Sequence, residues 1–133
     1  MRRILFSAEL RRHVHKHSPQ STDTLPDRIS LPLPGNITPI TLGRNSQNMV
    51  QLHSPLVPFI LSHQHAEIKI DPEGVHAVTD KNTTNGTYLN GNIIPPGPCP
   101  LAHGDVISFG GPANCDLTGN CFRYQYYAHD DMT

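Results

Sequence analysis

The sequence predicts an all-β fold, a sandwich of two antiparallel sheets behind a disordered or partly helical N-terminal tail. Three observations carry that expectation. Short apolar runs recur from Ile29 to Tyr127, several of them alternating with period two. Turn residues separate the runs, with 13 Pro and 10 Gly among 133 residues, a mixture that suits many short strands better than long helices. The runs also lie too close together to leave room for helices between them.

Residues 1–27 read as a flexible basic tail, because the stretch around HVHKHSPQSTDTLPD holds no sustained apolar period. A short helix over residues 4–14 is weakly encoded. Residues 28–129 read as the folded domain and residues 130–133 as a short C-terminal tail. The strands expected in the domain are Arg28–Leu33, Thr38–Leu42, Met49–Leu52, Phe59–Leu61, Ala66–Ile70, Val75–Thr79, Thr87–Leu89, Asn92–Ile94, Val106–Phe109 and Phe122–Tyr127. In Ala66-Glu67-Ile68-Lys69-Ile70 the apolar side chains fall on one face. Asn90-Gly91 supplies the positive φ angles of a two-residue hairpin turn, and Asp71-Pro72-Glu73-Gly74 is a second turn between strands.

Charge excludes several functions. The tail holds five of the ten Lys and Arg residues, leaving residues 17–133 with five basic against ten acidic side chains, a formal −5. Neutralising a run of phosphates takes a basic stripe, so nucleic acid is not an expected partner and any anion site must be local. With no Trp and 6% aromatic residues, a base-stacking platform is also unexpected. No apolar run approaches the ~18 residues of a membrane span. Glu9, Arg11 and Arg12 break up the only stretch resembling a secretory signal, so an intracellular protein is expected, nuclear slightly ahead of cytoplasmic.

Catalysis and metal binding find little support. No Gly-rich phosphate loop, HExxH or GxSxG motif is present, so no catalytic residue is assigned and no enzyme is expected. Cys99, Cys115 and Cys121 are odd in number and form no CxxC pair, which reads as free thiols. Alternate histidines at His13, His15 and His17 read as solvated tail, and no cofactor or metal is expected. His53, His76, His103 and His129 read as surface or turn residues.

Four short pieces remain, in a fixed order: Gly43-Arg44; Ser62-His63-Gln64-His65; Thr84-Asn85-Gly86-Thr87; and Asn90-Gly91 followed by Leu101-Ala102-His103-Gly104-Asp105. Each alone is common in β-proteins. In this order over residues 29–128 they resemble the forkhead-associated (FHA) domain family. The resemblance implies a β-sandwich with binding loops gathered at one end, and recognition of phosphothreonine in an extended segment of a partner protein. It implies that Arg44 and Ser62 contact the phosphate with Thr84 beside them, and that Asn85 bonds the peptide backbone. It gives His65 a structural role beneath Ser62 and makes Gly43, Gly86 and Gly104 backbone-permissive. An FHA-like scaffold that binds partners through a sheet face, without phosphate, is the alternative.

The chemistry suits those residue types. A threonine phosphate carries about −1.5 to −2 charges and three strong acceptor oxygens at neutral pH. The guanidinium of Arg44 is permanently charged and forked, while hydroxyls at Ser62 and Thr84 add donors without charge. Three positions depart from the family pattern. The 18-residue step from Arg44 to Ser62 is long, with His53–Pro58 as the insertion. His63 stands where the family often has a basic or amide side chain, and is expected to add phosphate affinity when charged. Ile60 stands where some members carry an arginine, which suggests an apolar preference three places after the phosphothreonine.

Overall fold

The computed structural model describes residues 5–13, 25–53, 60–111 and 122–130. They contain 11 strands and no helix: β1 Leu5–Arg12, β2 Arg28–Ser30, β3 Ile40–Gly43, β4 Val50–Gln51, β5 Ala66–Ile70, β6 His76–Asp80, β7 Thr87–Leu89, β8 Asn92–Ile93, β9 Cys99–Pro100, β10 Val106–Phe109 and β11 Arg123–Asp130. They form a six-stranded sheet in the order β2-β1-β11-β10-β7-β8 and a five-stranded sheet in the order β4-β3-β5-β6-β9. All neighbours are antiparallel except β3 and β4, which pair in parallel.

Alternation decides which side chains enter the core. Ala66 and Ile68 of β5 are buried, while Glu67 and Lys69 face outward and pair at 3.5 Å. From the other strands Leu10, Leu42, Val78, Ile107, Tyr124 and Tyr126 bury completely against them. Both predicted turns form. Asn90 and Gly91 adopt φ of 50° and 86°, and Gly74 adopts 84°. Asp71 Oδ1 accepts from the amides of Glu73 and Val75 at 2.9 Å, closing its turn. The Asn-Gly and Gly-Asp motifs interlock: Asn90 Nδ2 donates to Asp105 Oδ1 at 3.0 Å and Val106 N donates to Asn90 Oδ1 at 2.9 Å. They are structural.

Four expectations need correction. Residues 5–12 are neither tail nor helix; they form β1, between β2 and β11 in the larger sheet. A bulge between Leu5 and Ser7 shifts the register, so the buried Leu5, Ala8 and Leu10 lose strict alternation and the stretch imitates a helix. The expected C-terminal tail begins inside β11, where Asp130 is buried opposite Leu5. Arg11 of the expected basic tail lies on a strand face, 3.3 Å from Glu9 and 4.0 Å above the ring of Tyr127. His76 is fully buried, with Nε2 donating to Pro32 O at 2.7 Å and Nδ1 against the Tyr126 hydroxyl at 2.6 Å. It is a core histidine, as its alternation with Val78 requires.

Two smaller differences concern strands. β9 was not expected, and Ile60 and Leu61 are a bend rather than a strand. Cys99 is a free thiol; Cys115, Cys121, His15, His17 and the inserted residues 54–58 lie outside the described residues.

If β1 belongs to the core, Leu10→Ala should lower the unfolding free energy by ~2–5 kcal/mol, the usual cost of emptying a buried leucine site. Urea denaturation measures it, and a loss below about 0.5 kcal/mol would contradict the strand assignment.

Candidate functional site

Register brings three loops to one rim. Leu42 lies opposite Ala66, and Ala66 opposite Asp80, so the chain leaves β3, enters β5 and leaves β6 at the same end of the smaller sheet. The segment 60–63 before β5 lies at the centre of this rim. On one side Arg44 N donates to Ser62 O at 3.0 Å, Arg44 Nε to Leu61 O at 3.1 Å, and Asn45 N to His63 O at 3.1 Å. On the other side Asn85 Nδ2 donates to Ile60 O at 2.9 Å. Asn48 Nδ2 adds bonds to His63 O and Asn45 O at 2.6 and 2.8 Å. The three loops are thereby one hydrogen-bonded unit.

Glycine is needed at two of these positions for different reasons. Gly86 adopts φ of 81°, which side chains resist. Gly43 has no such angle; a Cβ there would collide with the His63 carbonyl oxygen and sit 2.9 Å from His65 N. Close approach of strand and loop, rather than backbone freedom, fixes Gly43.

Beneath the rim, His65 is fully buried and joins two of the loops. Ser62 N donates to its Nδ1 at 3.1 Å, and its Nε2 faces Gly86 O at 2.8 Å. A backbone amide can only donate and a carbonyl can only accept, so both contacts are satisfied by one neutral tautomer with the proton on Nε2. Desolvation accordingly holds the His65 pKa below the usual histidine value, against the raising influence of the Gly86 carbonyl and of Asp80 at 3.9 Å.

Asp80 organises the third loop. Its Oδ2 accepts from Thr83 N at 3.0 Å, and its Oδ1 accepts from the hydroxyls of Thr83 and Thr87 at 2.7 Å. Gly86 N in turn donates to Thr83 Oγ1 at 3.0 Å. Burial alone would raise the Asp80 pKa; the Thr83 and Thr87 hydrogen bonds and the His65 interaction outweigh it and hold the carboxyl below its ordinary value. With Thr83 turned inward, Thr84 and Asn85 stand exposed at the tip of a fixed turn.

Of the residues singled out from sequence, Arg44 and Ser62 are half-buried, and His63, Thr84 and Asn85 are exposed. Backbone bonds join Arg44 directly to Ser62, and Thr84 follows through its neighbour Asn85. Ile60 is half-buried and packs on the core. The sequence did not single out Asn48 or Thr83 for this site, and Thr87 appeared only as the last residue of the Thr84–Thr87 motif, with no role given to it. Asp80-x-x-Thr83 is the pattern of a carboxylate capping a turn and was the available signal; Asn48 offered none.

A family model described as the FHA domain matches residues 40–110. The E3 ubiquitin-protein ligase RNF8 of Mus musculus is 32% identical over 95 residues, 70% of this chain and 19% of the ligase. The rnf8 ligase of Danio rerio is 32% identical over 88 residues, 65% of this chain and 17% of the ligase. The chain therefore spans less than a fifth of the length of these relatives. Among solved structures, the N-terminal FHA domain of S. cerevisiae Rad53p in complex with a phosphothreonine peptide superposes with a TM-score of 0.65 at 20% identity, covering 92% of this chain and 94% of that one. An engineered FHA domain with the Myc-pTBD peptide gives 0.64 at 20% identity, covering 92% and 91%. At such identities the likeness is one of fold.

Lowered pKa values at His65 and Asp80 have a direct consequence for stability. In both cases the unfolded chain binds the proton more readily than the native one, so stability falls on acidification. The loss from His65 begins as pH drops below 6.5, the ordinary histidine value, and that from Asp80 below 3.8, the ordinary aspartate value. Urea midpoints followed from pH 7.5 to 5.5 should fall in the native protein and fall less in His65→Asn. Parallel curves would show that His65 is not held neutral.

Proposed function

The chain belongs to the FHA domain family, and from that membership we propose that its rim binds a phosphothreonine within an extended segment of a partner protein. The observation that carries the reading is the clasp on residues 60–63, held by Arg44 from one side and by Asn85 from the other. A permanent cation, the Ser62 and Thr84 hydroxyls and the Asn85 amide then belong to one unit at the end of an otherwise acidic domain. That donor set suits a single compact anion.

Arg44 and Ser62 hold the phosphate, with Thr84 beside them. Asn85 orients the peptide backbone while its amide stays anchored to Ile60. His63 follows Ser62 with its side chain exposed and adds a donor to the same anion when charged. Two or three charge-assisted bonds of roughly 1.5–3 kcal/mol each, less the ordering of the peptide, correspond to micromolar affinity, about −8 kcal/mol. The phosphoamino acid and its polypeptide context together constitute the ligand of a binding module.

A titration with one peptide in phosphorylated and unphosphorylated form tests this reading. The native protein should bind only the phosphothreonine form, and Arg44→Ala should weaken that binding by ~2–5 kcal/mol. Equal binding of both peptide forms, or an Arg44→Ala protein as tight as the native one, would instead favour a scaffold that uses a sheet face.

The role of His63 has its own readout. Affinities for the phosphopeptide measured from pH 8 to pH 6 should diverge at the acid end, the native protein binding more tightly there than His63→Ala. Parallel profiles would remove His63 from the site.

A further inference from the structure

The smaller sheet ends in β4 and the larger in β2, and neither strand has a second neighbour among the described residues. Between these two open edges runs a groove of about 500 Å³, lined by Arg28, Ile29, Ile40, Met49, Val50 and Gln51. Its lining is mixed: Ile40 and Val50 lie half-buried at its floor, Met49 is 59% exposed beside them, and Arg28 adds a cation with a side chain 70% exposed.

Gln51 joins the groove to the rim. It lines the groove, pairs with Gly43 across the ladder, and donates from Nε2 to Arg44 O at 3.1 Å. Ile40 is four residues before Arg44 along β3, about 13 Å at the ~3.3 Å rise of a strand. A peptide anchored at Arg44 and continuing in extended form past Gln51 thus reaches the aliphatic part of the groove with its fourth or fifth residue. The outer edge of β4 can meet that segment with backbone donors and acceptors, as an added strand does.

We propose that this groove is a second contact for the phosphopeptide itself, taking an aliphatic side chain four or five residues from the phosphothreonine along an extended segment laid on β4. The inference rests on the phosphothreonine reading of the rim. It gives the protein a means of choosing among phosphorylated partners by residues beyond the reach of the rim.

Fluorescence anisotropy with four peptides decides it. A short phosphopeptide carries three residues on either side of the phosphothreonine. Three long ones carry seven, with leucine at the fourth and fifth places after it, at the same places before it, or replaced throughout by serine. One leucine peptide should bind the native protein about five-fold more tightly than its serine counterpart, the burial gain less the cost of ordering. Met49→Asp should erase that gain and leave the short peptide unchanged, whereas Arg44→Ala weakens all four. The Met49 methyl resonance should move with the favoured long peptide and stay still with the short one.

Equal affinities for all the long peptides, a gain that survives Met49→Asp, or a stationary Met49 methyl would overturn the proposal. So would a dimer of the native protein that Met49→Asp dissociates without touching the leucine gain. Failure of even the short phosphopeptide to bind marks failure of the rim reading instead.

Discussion

The binding end of this domain depends on one neutral, buried imidazole. His65 accepts from Ser62 N and donates to Gly86 O, so a single ring sets the height of the Ser62 loop relative to the Thr84–Asn85 turn. Protonation would put a second hydrogen on Nδ1, opposite the Ser62 amide, and set donor against donor. Burial prevents that by penalising the charged form. The site therefore gains its fixed geometry from a group that never faces a ligand.

Around that ring, charges are kept apart by direction. The Asp80 carboxylate lies near the rim, yet Thr83 and Thr87 hold both its oxygens beneath the turn. Arg44, half-buried, is oriented by the Leu61 carbonyl on the other side of the segment 60–63. The one arginine of the rim is thus held apart from the nearest carboxylate within a body whose formal charge is −5 over residues 17–133.

The sequence made much of this legible, for local reasons. Ala66–Ile70, Thr87–Leu89 and Val106–Phe109 appear with the bounds expected of them, because alternation and turn residues encode them within a few positions. β1 was misread because a bulge spoils its alternation and its partner β11 lies more than a hundred residues away; only tertiary pairing makes it a strand. β9 is two residues long and contains a proline, too little for any pattern. At the rim, the motif residues Arg44, Ser62 and Asn85 could be named in advance. The bonds of Asn48 and the close approach at Gly43 could not, since they depend on where a loop folds back. His76 was placed at the surface because histidine usually is; its alternation with Val78 was the better guide.

If the three loops act as one preorganised anion site, their amide chemical shifts must respond together as a phosphothreonine peptide is added. Arg44, Ser62, His63, Thr84 and Asn85 should shift along a single binding curve with the phosphorylated peptide and stay still with the unphosphorylated one. Shifts confined to one loop, or spread over the outer face of a sheet for both peptides, would contradict it.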